Sequence, residues 1–217
     1  MIFVFFRSTS VTCACLLQSI QSNHSIAQYI RELEVPVPNS FQGGAGAIAL
    51  LIKIVPRLLR LHIYVPNRNR FIYPLSKIHP TIIDAIATQS SLQHLELHFA
   101  TLVHIDQLFN VIHCLTNLHD LDLCWTTFDE PQLPNPHSQP QPKVSGIKRL
   151  TITCLGLINL LGKPELGPID LLELTHLHIH LNHVDPSDFN QFISAAKSLE
   201  QLEITVGTFV GLLSSFH

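Results

Sequence analysis

The chain has 217 residues, of which 46% are hydrophobic and 13% charged, with a formal net charge of −3 and a pI near 6.5. That balance suits one packed domain with a sizeable core and excludes a disordered chain, whose composition runs the other way. It also leaves no basic footprint for nucleic acid or for an anionic membrane surface.

At the N-terminus, Met1–Phe6 is apolar, but Arg7 and a run of Ser and Thr interrupt it. The run is far short of the ~20 residues that a membrane span needs. Its positive charge follows the apolar stretch instead of preceding it, so secretion is not expected. Residues 1–22 read as an atypical N-terminal segment that contributes a strand, ahead of a single domain over 23–217.

From there the chain repeats one short frame, L-x-x-L-x-L with Ile or Val allowed. It occurs as Ile30/Leu33/Val35, Leu58/Leu61/Ile63, Leu92/Leu95/Leu97, Leu118/Leu121/Leu123, Ile147/Leu150/Ile152, Leu174/Leu177/Ile179 and Leu199/Leu202/Ile204. The middle positions are 28, 34, 26, 29, 27 and 25 residues apart. Polar residues fill the gaps between the leucines, so each frame reads as a short strand with one buried side. Between frames lie helical patterns. Ala45–Val55 is stopped by Pro56, Pro80–Gln89 stacks Ile82, Ile83, Ile86 and Ala87, and Ile105–Leu115 stacks Ile105, Leu108, Phe109, Ile112 and Leu115. Pro186–Lys197 is the best written, with Asp185 as cap, Pro186 in the first turn and Asp188 near the N-terminus. Its Phe189, Phe192, Ile193 and Ala196 follow helical spacing. Two segments break the rhythm. Pro66–Pro80 makes the long spacing, and Asp129–Lys143 holds Pro131, Pro134, Pro136, Pro140 and Pro142, which reads as an extended surface loop in place of a helix.

A strand recurring every 20–29 residues with a helix between is the signature of a leucine-rich-repeat solenoid. The expected fold is therefore α/β, a horseshoe of about seven irregular repeats. Short parallel strands would line its concave face, with helices and loops on the convex one. The five cysteines include no zinc-knuckle spacing, because Cys13-x-Cys15 lacks a second pair and Cys114, Cys124 and Cys154 fall inside the repeats. Free thiols in a cytoplasmic or nuclear setting are the plain expectation.

With these frames in view, Ser25–Val35 (SIAQYIRELEV) and Leu115–Leu123 (LTNLHDLDL) resemble the repeat region of the F-box/leucine-rich-repeat proteins of mushroom-type fungi. The resemblance covers about residues 20–210. It implies partner selection by the repeats, in a family whose N-terminal F-box docks a ubiquitin-ligase core. Two features depart from the family pattern. Met1–Ser22 does not resemble an F-box and is too short for its three helices. The Asn or Cys expected three residues after each frame is present only as Asn182, the other positions being Pro38, Pro66, Ala100, Thr126, Leu155 and Gly207.

In a parallel sheet built from these frames, the polar residues align in columns about 5 Å apart. The first holds Glu32, Arg60, His94, Asp120, Arg149, His176 and Gln201; the second Glu34, His62, Glu96, Asp122, Thr151, His178 and Glu203. A third holds Pro36, Tyr64, His98, Cys124, Thr153, His180 and Thr205. The candidate binding residues are Arg60, His62, His94, Glu96, His98, Asp120, Asp122, Arg149, Thr151, His176, His178, His180 and Glu203. His176-x-His178-x-His180, and His94, His98, Asp120 and Asp122 on neighbouring strands, have the chemistry of zinc ligands. Alternate residues on one strand lie ~6.6 Å apart and diverge, however, so solvated polar residues on an interaction face are the preferred reading, with no metal and no cofactor. No phosphate-binding glycine loop, nucleophile elbow or His-Glu-x-x-His occurs. The sequence thus reads as a monomeric, non-enzymatic module for an unidentified protein partner. A truncated F-box relative without independent role and a metal-dependent hydrolase are the alternatives.

Overall fold

The computed structural model of the chain describes residues 4–7, 10–37, 44–64, 76–98, 100–124, 126–130, 146–153, 169–181 and 186–206. In chain order the strands are β1 (Val4–Arg7), β2 (Ile30–Pro36), β3 (Arg60–Tyr64), β4 (Ser76–Lys77), β5 (His94–His98), β6 (Ala100–His104), β7 (Asp120–Leu123), β8 (Thr127–Glu130), β9 (Arg149–Ile152), β10 (His176–Leu181) and β11 (Gln201–Val206). The helices are α1 (Ser10–Ser22), α2 (Ala45–Ile54), α3 (Pro80–Ala87), α4 (Ile105–Cys114) and α5 (Pro186–Ala195), with 3₁₀ turns at His24–Gln28 and Leu171–Glu173.

Eight strands form one open parallel sheet in the order β1-β2-β3-β5-β7-β9-β10-β11. A second, three-stranded parallel sheet runs β4-β6-β8. The strands of the large sheet thus lie side by side in sequence order, with β4, β6 and β8 set apart in the second sheet. The chain belongs to the α/β class, and among the described residues five of the seven connections between strands of the large sheet carry an α-helix.

The alternation in each frame explains why these segments become strands. In β3 and β5 the leucines and isoleucines are buried and the residues between them half-exposed. Leu61, Leu95, Leu121 and Leu150 meet in register across four strands, each no more than 1% exposed. Helices α2, α3 and α4 cover this apolar side, their Ile48, Leu51, Ile52, Ile82, Ile86, Leu108 and Ile112 joining the strand leucines in one core. Successive helices also pack on one another, α1 on α2, α2 on α3 and α3 on α4.

Main-chain hydrogen bonds repeat with the frame. The carbonyls of Leu59, Gln93, His119, Lys148 and Thr175 each accept two successive amides from the next strand entry, at 2.8–3.0 Å. Just before the fifth frame, Gly146 has φ +114°, a conformation that L side chains rarely adopt. Helix α3 starts as an X-Pro entry should, with the His79 side chain accepting from the Thr81 amide and Pro80 in the first turn.

Four details differ from the sequence expectation or extend it. Residues 1–22, which the sequence sets apart, supply both β1, paired to β2, and α1, whose Cys13, Leu16 and Ile20 are buried in the common core. The second sheet has no counterpart in the frame pattern, because β4, β6 and β8 lie outside the L-x-x-L-x-L motif. It also takes Asp129 and Glu130, expected in the loop, into β8, while residues 131–143 and Asp185 lie outside the described residues. Finally, β11 keeps its register with β10 but not its burial, with Leu202 41%, Ile204 42% and Val206 73% exposed. No helix of the described residues is long and apolar enough to cross a membrane.

Candidate functional site

The face of the large sheet turned away from the helices carries the candidate residues. Arg60 and His62 stand on β3, His94, Glu96 and His98 on β5, Asp120 and Asp122 on β7, Arg149 and Thr151 on β9, His176, His178 and His180 on β10, and Glu203 on β11. The strand register aligns Glu32, Arg60, His94, Asp120, Arg149, His176 and Gln201 as one row. Glu34, His62, Glu96, Asp122, Thr151, His178 and Glu203 make the next. Parallel pairing at constant register has this result: residues one repeat apart become neighbours across strands.

The first row sets opposite charges on adjacent strands, Glu32 beside Arg60 and Asp120 beside Arg149. Arg60 Nη1 lies 3.9 Å from Glu32 Oε2, and its Nε lies 4.0 Å from Glu96 Oε1. Asp120 accepts a hydrogen bond from Arg149 Nε at 2.7 Å and pairs on its other oxygen with His94 Nδ1. Asp120 is therefore clamped between strands β5 and β9, with its side chain 19% exposed.

The second and third rows interlock diagonally. His62 Nδ1 stands 3.9 Å from both Glu34 Oε1 and Glu96 Oε2. On the other side of the ring, His62 Nε2 lies 3.2 Å from His98 Nδ1, the ring centroids being 4.6 Å apart at 67°. Tyr64 flanks the same ring at 5.3 Å. His98 Nε2 is buried without a hydrogen bond of good geometry, and Asp122 Oδ1 approaches it to 3.3 Å. That Asp122 oxygen also accepts from the Cys124 amide at 3.0 Å. Burial, and then the negative charge of Asp122, push the Cys124 thiol up to about 12, so it stays protonated and is a poor nucleophile.

The C-terminal strands are looser. His176 pairs locally with the Thr175 hydroxyl at 2.9 Å, and His178 Nε2 meets the Thr205 hydroxyl at 3.0 Å and Glu203 Oε1 at 3.8 Å. His178 and His180 lean together, with ring centroids 4.2 Å apart. Burial, and then the charge of His178, hold the His180 pKa below the usual imidazole value, against a smaller opposing pull from Asp122 and Glu203.

Of the two zinc-like groupings in the sequence, neither meets as written. Among the described residues, the one group of His, Cys, Asp or Glu with metal-ligand spacing is His62, Glu96 and His98. Sequence reasoning placed all three on the face, His62 and Glu96 in the second row and His98 in the third. The signal that could have found them is the diagonal between His62 and His98, one strand apart and two residues out of register. Cys15, Cys114 and Cys124 are free thiols. No protein-family model matches the chain, and a search of curated proteins finds no match either.

Proposed function

We propose that the chain is a leucine-rich-repeat solenoid that binds a protein partner, without catalysis, through the polar face of its large sheet. The observation that carries this reading is the strict sequence order of the strands, which lines up one polar row per repeat position. Thr126 supports the repeat assignment. It stands three residues after the fourth frame, where the family pattern has Asn or Cys, and its buried hydroxyl donates to the Leu97 carbonyl at 2.7 Å. A small side chain bonded to the preceding turn is the work that position needs.

The face suits protein recognition because it combines both charge signs with imidazole and tyrosine over adjacent strands. It also suits a partner better than the helical side, whose apolar stripes are spent on the core. Free thiols fit a reducing, cytoplasmic or nuclear setting. The test reverses charge at the centre of the face with Glu96→Lys and Asp122→Lys together, on protein whose circular dichroism matches the parent. Affinity purification from a cell extract is expected to lose the partners that the parent retains, because single exposed charges contribute little but a reversed cluster repels. Retention of every partner at unchanged affinity would remove the sheet face as the binding surface.

A further inference from the structure

We propose that His62, Glu96 and His98 form a binding site for a divalent late transition metal ion, with Zn²⁺ as its natural probe. The three residues come from two adjacent strands, and one ligand atom from each lies within 4.8 Å of the other two. The key distance is the 3.2 Å between His62 Nε2 and His98 Nδ1. With Zn–N bonds of about 2.0–2.1 Å, two ligands of a tetrahedral ion stand about 3.3–3.4 Å apart. The two imidazoles are therefore spaced as an edge of such a tetrahedron, and an ion between them would replace the proton they share.

The outer nitrogens strengthen the assignment. Metal-bound histidines orient themselves by donating the other ring N–H to a carboxylate. Here His98 Nε2, buried and without a well-formed hydrogen bond, faces Asp122 Oδ1 at 3.3 Å. His62 Nδ1 faces Glu34 Oε1 at 3.9 Å. Each ring thus has an inner nitrogen turned to its partner ring and an outer one turned to a carboxylate. Glu96 supplies the third ligand. Its Oε1 lies 4.0 Å from Arg60 Nε and its Oε2 3.9 Å from His62 Nδ1, and the ligand atoms of the three residues lie within 4.8 Å of one another, so a turn of the Glu96 carboxylate toward the inner nitrogens completes the set. Two nitrogens and one oxygen leave a position for water or for a partner's side chain, and imidazole donors select Zn²⁺, Ni²⁺ or Cu²⁺ over Mg²⁺ or Ca²⁺. His176, His178 and His180 compete less well. They lie along one strand, where alternate side chains spread ~6.6 Å apart.

The test is zinc titration by calorimetry of the full chain after chelator treatment, followed by the visible spectrum of the Co²⁺ form. One zinc per chain is expected, with a tetrahedral Co²⁺ band. His62→Gln and His98→Gln are each expected to abolish that stoichiometric site, and the triple change His176→Gln, His178→Gln, His180→Gln to leave it intact. Asp122→Asn keeps all three ligands and is expected to weaken binding about 10–100-fold at unchanged stoichiometry, as loss of an outer-shell carboxylate does. Should a histidine variant fail to fold by circular dichroism, Glu96→Gln serves in its place. Absence of stoichiometric zinc in the parent, or zinc binding that survives His62→Gln and His98→Gln but not the triple change, overturns the proposal.

Discussion

Strands β3, β5 and β7 and strands β10 and β11 are built on the same frame, yet they differ in what surrounds them. In the first group the frame residues are at most 1% exposed and the polar residues mesh across strands: His62 with His98, His94 with Asp120, His98 with Asp122. In the second, Leu177 and Ile179 of β10 stay buried but Leu202 and Ile204 of β11 stand 41% and 42% exposed, and the histidines lie along one strand, meeting Thr175, each other, Thr205 and Glu203. Pairing register follows from the repeated pattern. Energetics follow from having neighbours on both edges and a covered apolar side.

The sharpest break of this comparison is a matched leucine truncation. Leu95→Ala is expected to cost about 2–5 kcal/mol, the range for core leucines that leave a cavity. Leu202→Ala, at the same frame position, is expected to cost less than about 1 kcal/mol, because less of its surface leaves water on folding. Denaturant melts of the two variants measure this, and equal losses would mean that β11 is as well covered as β5.

A smaller contrast concerns the ion pairs. Asp120 bridges Arg149 and His94 from a side chain 19% exposed, whereas Glu203 is 61% exposed and 3.8 Å from His178. Asp120→Asn is expected to destabilise by about 1 kcal/mol and Glu203→Gln by no more than a few tenths, since exposed pairs are weak and screened. Thermal melts at low and high salt decide whether the gap closes as screening predicts.

The smallest expected effect is on a titration. Because the folded state holds His180 below its usual pKa, the unfolded chain binds the proton first as pH falls. The contribution is therefore complete above the ordinary histidine range and is lost as pH drops through it toward the lowered folded value. His178→Gln removes the second cause and leaves burial, so NMR titration of the His180 ring should show its pKa rise part of the way. An unchanged value would assign the whole shift to burial.

Much of this was legible in the sequence, for a physical reason: the frame encodes both the strand and its pairing partner one repeat away. Leu33, Leu61, Leu95, Leu121 and Leu150 could be placed on one buried row before any coordinates. Helix α1 was less visible because its Val-Thr-Cys-Ala-Cys start lacks the large apolar residues that mark α3 and α4. Strand β4 was hidden by its two-residue length, and β6 and β8 by the absence of a frame. The His62–His98 contact escaped because rows were read straight across, while side chains lean and meet diagonally. The exposure of Leu202 escaped for the opposite reason. Its frame is as regular as any other, and no local pattern records what covers a strand.

The sequence order of the strands bears on how this chain folds. In most sheet proteins a strand waits for a partner far along the chain, and the entropy of closing that loop slows folding. Here every pairing in the large sheet spans about one repeat, so contact order stays low although the pairing is all parallel. Folding can begin at any adjacent pair and spread in both directions, with stability behaving as a sum of units and the junctions between them. Evolution could then lengthen or shorten such an array by whole frames, resealing the sheet at the cut and shifting the polar rows by one step without rebuilding the core.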